Sequence, residues 1–229
     1  MRKYNYCWFL VICIIISCNN KPNKAEHVAE KPTNVANTST EVKKKQPQKT
    51  ILFFGDSLTA GYGLDEEESF PSLIQDRLDS LSLEYVSVNG GLSGETTAGG
   101  KGRIDWVLEQ PVDIFVLELG ANDMLRGLDI NSTRQNLKDI LDVVQSKYPE
   151  AKIIIAGMLA PPNMGAEYAF EFQSIFSDLA SEYKAGLIPF LLSGLETRPD
   201  LFLGDGKHPN TDGQKVVVEN VWKVLKDYL

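Results

Sequence analysis

The sequence predicts an α/β protein, a three-layer α/β/α sandwich around a central, mainly five-stranded parallel sheet. Three observations predict it. Five short runs rich in Val, Ile, Leu and Phe recur between residues 50 and 191. They show little polar alternation, as strands covered on both faces do. Helix-like stretches separate them, the pattern of βα units wound into one sheet.

Taken in order, "TILFF" (50–54) is the first strand and breaks directly into Gly55-Asp56-Ser57-Leu58. A helix near 69–82 leads to "YVSVN" (85–89), and a helix near 98–109 leads to "DIFVLELG" (113–120). In the next helix, near 131–147, Leu137, Ile140, Leu141 and Val144 recur at i, i+3, i+4 and i+7, one face of the cylinder. Asn131 or Ser132 suits its N-cap and Pro149 its stop. "KIIIAGM" (152–158), a helix near 167–184, "GLIPFL" (186–191) and a helix near 212–227 complete the pattern, which contains no internal repeat. In open parallel sheets, ligands meet the loops beyond the carboxyl ends of the strands. Here those loops are "GDSLTAGYG", "GGLSGETTAGG", "GANDMLRG" and "LAPPNMGAEY", with "LGDGKHPN" before the last helix.

The 229 residues allow one domain with a full core. The formal net charge of −8 is unevenly spread: residues 1–49 hold nine basic and three acidic side chains, the remainder 14 and 28. An acidic domain of this kind argues against nucleic acid as its partner. Residues 1–17 read as a lipoprotein signal peptide: Arg2 and Lys3, the short apolar run "CWFLVICIIIS" (7–17), then Cys18 in a lipobox-like context. A plain signal peptide or an anchoring helix is the competing reading. Cys7, Cys13 and Cys18 are the only cysteines, so a domain freed of its leader would carry no disulfide and no thiol nucleophile. Residues 18–49 are rich in Asn, Lys, Thr, Pro and Gln and read as a lipidated, disordered tether, with the domain spanning 50–229. The expected location is that of an exported bacterial lipoprotein, held to a membrane through Cys18 and facing the periplasm or the cell surface.

His27 falls in the tether, which leaves His208 as the only imidazole of the domain. Asp205 lies three residues ahead, able to turn back onto the ring, fix its tautomer and leave the other nitrogen as a base. A surface histidine beside an acidic turn is the plainer reading of Asp-x-x-His alone. Ser57, at the break of the first strand, is either a turn-former or a nucleophile. Gly94 offers a backbone N–H unhindered by a side chain, and Asn122 offers an amide. Each is equally at home in an ordinary turn. Together on one rim, they supply what a serine nucleophile needs: a base and an anion hole.

Gly55-Asp56-Ser57-Leu58, Gly94, Asn122 and Asp205-x-x-His208 resemble, in order, the four sequence blocks of the SGNH/GDSL hydrolases. "SGETT", "ELGANDMLRG", "PPNMG" and "DGKHPN" are similar to the bacterial periplasmic acyl-CoA thioesterase/lysophospholipase/arylesterase branch. The resemblance runs from about residue 50 to the C-terminus and implies the flavodoxin-like variant of the three-layer fold. It implies Ser57 as nucleophile, His208 as general base and Asp205 as its orienter. The oxyanion hole would be the N–H groups of Ser57 and Gly94 with the Asn122 side chain. Asp56 would brace the turn rather than react, and no metal or organic cofactor would be needed. Glycines 90 and 91 depart from the simplest second block, so Gly94 is chosen by its Ser-Gly-acidic-Thr context. Substrates would be small acyl esters or thioesters, lysophospholipid among them, with Met124, Leu125 and Leu128 in a substrate loop. These three could equally pack beneath that loop.

A carbohydrate or cell-wall O-acetyl esterase, or an acyltransferase, could use the same residues. A non-catalytic, flavodoxin-like binding module is the reading from another class, but it wants a hydroxyl-rich phosphate loop after the first strand. "SGETT" follows the second strand instead, and no Walker lysine is present.

Overall fold

The protein was analysed as a computed structural model, which describes residues 48–229. The segment 1–47, with the leader, Cys18 and nearly all of the tether, lies outside the described residues. Five strands form one parallel sheet: β1 (Lys49–Gly55), β2 (Tyr85–Gly91), β3 (Ile114–Glu118), β4 (Lys152–Ala156) and β5 (Gly186–Ile188), in the order β2-β1-β3-β4-β5. All five expected strands are present, with ends displaced by no more than three residues.

Five long helices are α2 (Phe70–Ser80), α3 (Thr97–Val107), α5 (Ile130–Lys147), α6 (Ala166–Glu182) and α7 (Thr211–Leu225). Helices α2 and α7 pack together on one face of the sheet, and α3, α5 and α6 form the layer on the other. Right-handed crossovers require this split. The chain moves one way from β1 to β2 and the opposite way from β2 through β5, so the crossover helix α2 lies on the face opposite α3, α5 and α6. Two short helices were not expected: α1 (Ser57–Ala60) and α4 (Ala121–Leu125). The cap of α5 also differs. Asp129 accepts the Ser132 amide, so Ser132 is the donor and the helix starts earlier than expected.

Strands β1, β3 and β4 are buried on both faces, with Ile51, Phe53, Phe54, Phe115 and Ile154 fully inaccessible. Edge strand β2 is only half covered and leaves Val88 exposed, against the expectation of a strand buried on both sides. β1 and β3 are neighbours whose onward connections leave in opposite directions. That makes the crevice beyond their carboxyl ends the topological switch point of the sheet.

Candidate active site

Ser57 follows β1 at that switch point. Gly55 can be only glycine: a Cβ there would lie 2.1 Å from Thr59 Oγ1 and 2.5 Å from Glu118 Oε2. The close fit turns the chain sharply, and Asp56 caps α1 by accepting the Leu58 amide at 3.0 Å. Ser57 therefore opens a helix turn directly after a buried strand, its hydroxyl facing the loops on the rim.

The partner arrives from the loop before α7. His208 Nε2 stands 2.8 Å from Ser57 Oγ, and His208 Nδ1 stands 2.5 Å from Asp205 Oδ2. A carboxylate can only accept, so Nδ1 carries the proton and Nε2 is the nitrogen free to accept from Ser57. Asp205 also accepts the amides of Lys207 (2.9 Å) and His208 (3.1 Å) through Oδ1. The His208 hydrogen bond first, then these two amides, hold the Asp205 carboxyl well below the usual carboxylate range. Tyr62, half-exposed, lays its ring against the imidazole with centroids 4.5 Å apart.

Asn122 sits in α4, just after β3, and donates through Nδ2 to Asp56 Oδ2 at 2.9 Å. The side chain carries two N–H groups, so one remains for a ligand. Gly94 lies between β2 and α3 with φ of +80°, the left-handed region that glycine enters without strain. Its carbonyl accepts from Arg126 Nη2 at 2.7 Å, and Leu92 of the same loop donates to the Gly55 carbonyl at 2.9 Å. The second loop is thus tied to both the first and the third. Among the described residues the amides of Ser57 and Gly94 donate to no protein acceptor.

Further groups that the sequence reading passed over hold these loops. Asp123, buried, accepts the Thr97 amide (2.8 Å) and hydroxyl (2.6 Å), joining α4 to the start of α3. Glu95 and Arg103 form a bidentate pair beneath the Gly94 loop, and Arg103 also donates to the Gly90 carbonyl at 2.7 Å. A buried acid next to a glycine turn, with an arginine two helical turns on, was the available signal.

A cavity of about 570 Å³ opens beside Ser57 and His208. Met124, Leu125, Met158, Leu159, Phe190 and Leu192 supply its apolar wall, while Lys207 and Glu196 stand among its lining residues. Of the three expected loop residues, Met124 is buried and lines the cavity and Leu125 is exposed and lines it. Leu128 is exposed but does not line it.

Residues 53–216 match the GDSL-like lipase/acylhydrolase family. The chain is 34% identical to the arylesterase of Vibrio mimicus over 185 residues, 80% of this chain and 92% of that protein. It is 35% identical to the thioesterase 1/protease 1/lysophospholipase L1 of Escherichia coli strain K12 over 178 residues, covering 77% and 83%. The crystal structure of TesA superimposes with a TM-score of 0.75 at 36% identity, covering 79% of this chain and all of that one.

Proposed function

This chain belongs to the GDSL-like lipase/acylhydrolase family and is an ester hydrolase; from that premise we propose that it cleaves small carboxylic esters and thioesters through an acyl-enzyme on Ser57. The observation that carries the proposal is the unbroken chain Ser57 Oγ–His208 Nε2, His208 Nδ1–Asp205 Oδ2, at 2.8 and 2.5 Å, on the wall of the cavity.

In this mechanism His208 removes the Ser57 proton as the oxygen attacks the acyl carbonyl, and Asp205 stabilises the imidazolium that forms. The oxyanion that develops is held by the amides of Ser57 and Gly94 and by the second N–H of Asn122. His208 then gives its proton to the leaving alcohol or thiol. A water, deprotonated by the same nitrogen, releases the acid. The apolar wall of the cavity favours an alkyl acyl chain over a bare acetyl group. That weighs against the O-acetyl esterase reading, while the Escherichia coli relative's name supports thioesters and lysophospholipids as candidates. Activity on a panel of esters of graded acyl length tests this. Preference for medium chains supports the proposal, and activity confined to acetyl esters overturns it.

We also propose that the leader is removed before Cys18 and that lipid on Cys18 holds the enzyme to a membrane facing the periplasm or cell surface. The 30-residue arm between it and β1 (19–48) would span roughly 30 Å if flexible. Its six lysines would be drawn to anionic headgroups. Mass spectrometry of the mature N-terminus is the test: a lipidated Cys18 supports the reading, and an unmodified terminus elsewhere ends it.

A further inference from the structure

One acidic residue of the site region has no part in the mechanism above. Glu118 ends β3, pairs in register with Gly55, and is 1% exposed. Its Oε2 accepts the Asp56 amide at 3.2 Å and the Thr59 hydroxyl at 2.8 Å. Its Oε1 receives no hydrogen bond, the one buried side-chain oxygen left so among the described residues. The Asp56 carboxyl, itself 1% exposed, lies against the Glu118 carboxyl, whose Oε2 already holds the Asp56 amide. No Lys or Arg pairs with either acid among the described residues. Two carboxylates in contact, both out of water and without a cation, would be strongly unfavourable. One proton shared between them removes the conflict and gives the orphan oxygen a role.

We propose that Glu118 is a neutral acid that donates a hydrogen bond from Oε1 to the Asp56 carboxylate, and so acts as a positioning residue for the nucleophile turn and for Asn122. The assignment of the proton follows from the partners. Asp56 already receives the Leu58 amide at Oδ1 and the Asn122 amide at Oδ2, both of which favour its charged form. Glu118 receives donors on one oxygen only. Burial, then the Asp56 charge, pushes the Glu118 carboxyl well up from its ordinary range; burial raises Asp56 too, but the Leu58 and Asn122 amides, and after them His208, restrain it. Asp56 and His208 are the titratable groups that act on this pair. The consequence reaches the chemistry through one bond. A carboxylate at Asp56 can only accept, so it orients Asn122 with its amide nitrogen inward and leaves the second N–H directed at the cavity.

The inference rests on the catalytic reading only where it concerns Asn122; its first test is independent of activity. Infrared difference spectra of the full-length wild type against Glu118→Gln at neutral pH should contain the carbonyl stretch of a protonated, buried carboxyl, absent from the variant. Ionised-carboxylate bands in its place overturn the proposal. In kinetics, Glu118→Gln keeps a donor of the same shape and should hold kcat within about threefold. Glu118→Ala should lower kcat by about 10²-fold with KM unchanged, as a misplaced donor does. Equal losses in Gln and Ala, or a change confined to KM, overturn the positioning role. If Ser57→Ala retained activity, the catalytic reading would fail while the infrared result on Glu118 still stood.

Discussion

On the nucleophile side of the site, Asp56, Thr59 and Glu118 are each at most 1% exposed and come from the turn and helix after β1 and from the end of the neighbouring strand β3. On the base side, Asp205 and His208 share one loop, and their side chains are 37% and 20% exposed. The first half is held by core packing and by contacts about 60 residues apart in sequence. The second is held by a turn closing over three residues, stitched by the Leu203 amide to the His208 carbonyl at 2.8 Å and capped onto α7 by Asn210. Precision is thus built by burial on one side and by local hydrogen bonds on the other. Changes that remove a hydrogen-bond partner from the buried half should cost stability as well as rate, whereas changes in the exposed half should cost rate alone.

The largest effects fall where the halves meet. Ser57→Ala and His208→Ala should each lower kcat on an ester substrate by about 10⁶-fold, because a nucleophile and its base act as one unit. Both should retain the wild-type circular dichroism and, for His208→Ala, the unfolding free energy to within about 0.5 kcal/mol. A folded Ser57→Ala enzyme with measurable wild-type turnover would remove the mechanism.

Asp205→Asn comes next and belongs wholly to the exposed half. An amide at that position can present its N–H to Nδ1 and select the wrong tautomer, for an expected loss of about 10⁴-fold in kcat. The fold should be indifferent to it. A fall in the unfolding midpoint as large as that of a core substitution would show that the base loop is not the local structure described here.

How far the sequence exposed this division depends on the range of the contacts. The strands were legible because each is a dense run of β-branched and aromatic residues, and the base half was legible because its partners lie three residues apart around a solitary imidazole. Helices α1 and α4, of four and five residues, are too short to show a period; they exist because Asp56 caps one and Gly120, in the left-handed region, opens the other. Glu118 was one acid within the apolar run "DIFVLELG", and its partners lie 59 and 62 residues away. Nothing local distinguishes it. The exposed Leu128 failed to line the cavity for a related reason: hydrophobic character in a loop does not say which way the loop turns.

Asn122 bridges the two regimes, since one N–H is bonded to buried Asp56 and the other is open to the cavity. Asn122→Ala should lower kcat by about 10²–10³-fold with little change in KM, as removal of one oxyanion donor does. Unlike Asp205→Asn it should also cost about 1 kcal/mol in denaturant unfolding, because Asp56 loses a partner in a buried site. If only KM moved, the amide would be a ground-state contact.

The smallest effect separates the halves by the sign of a pH dependence. Asp205 has its carboxyl held low, so its contribution to stability is complete above the unfolded value of about 3.9 and is lost as pH falls through the folded one. Exposure and salt keep that contribution small. Glu118 runs the other way. Above about pH 4.3 the unfolded chain ionises at this position while the folded protein keeps its proton, so the native state binds more protons and stability declines as pH rises. Burial raises Asp56 also, with the same sign. Gln at 118 cannot ionise in either state. Relative to wild type, Glu118→Gln should therefore gain stability with increasing pH, by up to about 1.4 kcal/mol per unit across the interval between the unfolded and folded values. Urea denaturation at a series of pH values from 4 to 8 measures it. Wild type and Glu118→Gln should diverge upward in pH, whereas wild type and Asp205→Asn should run parallel across this range. Parallel curves for the Glu118 pair would mean that the acid beneath the nucleophile turn is charged in the folded protein, and the contrast between a buried neutral half and an exposed ionic half would collapse.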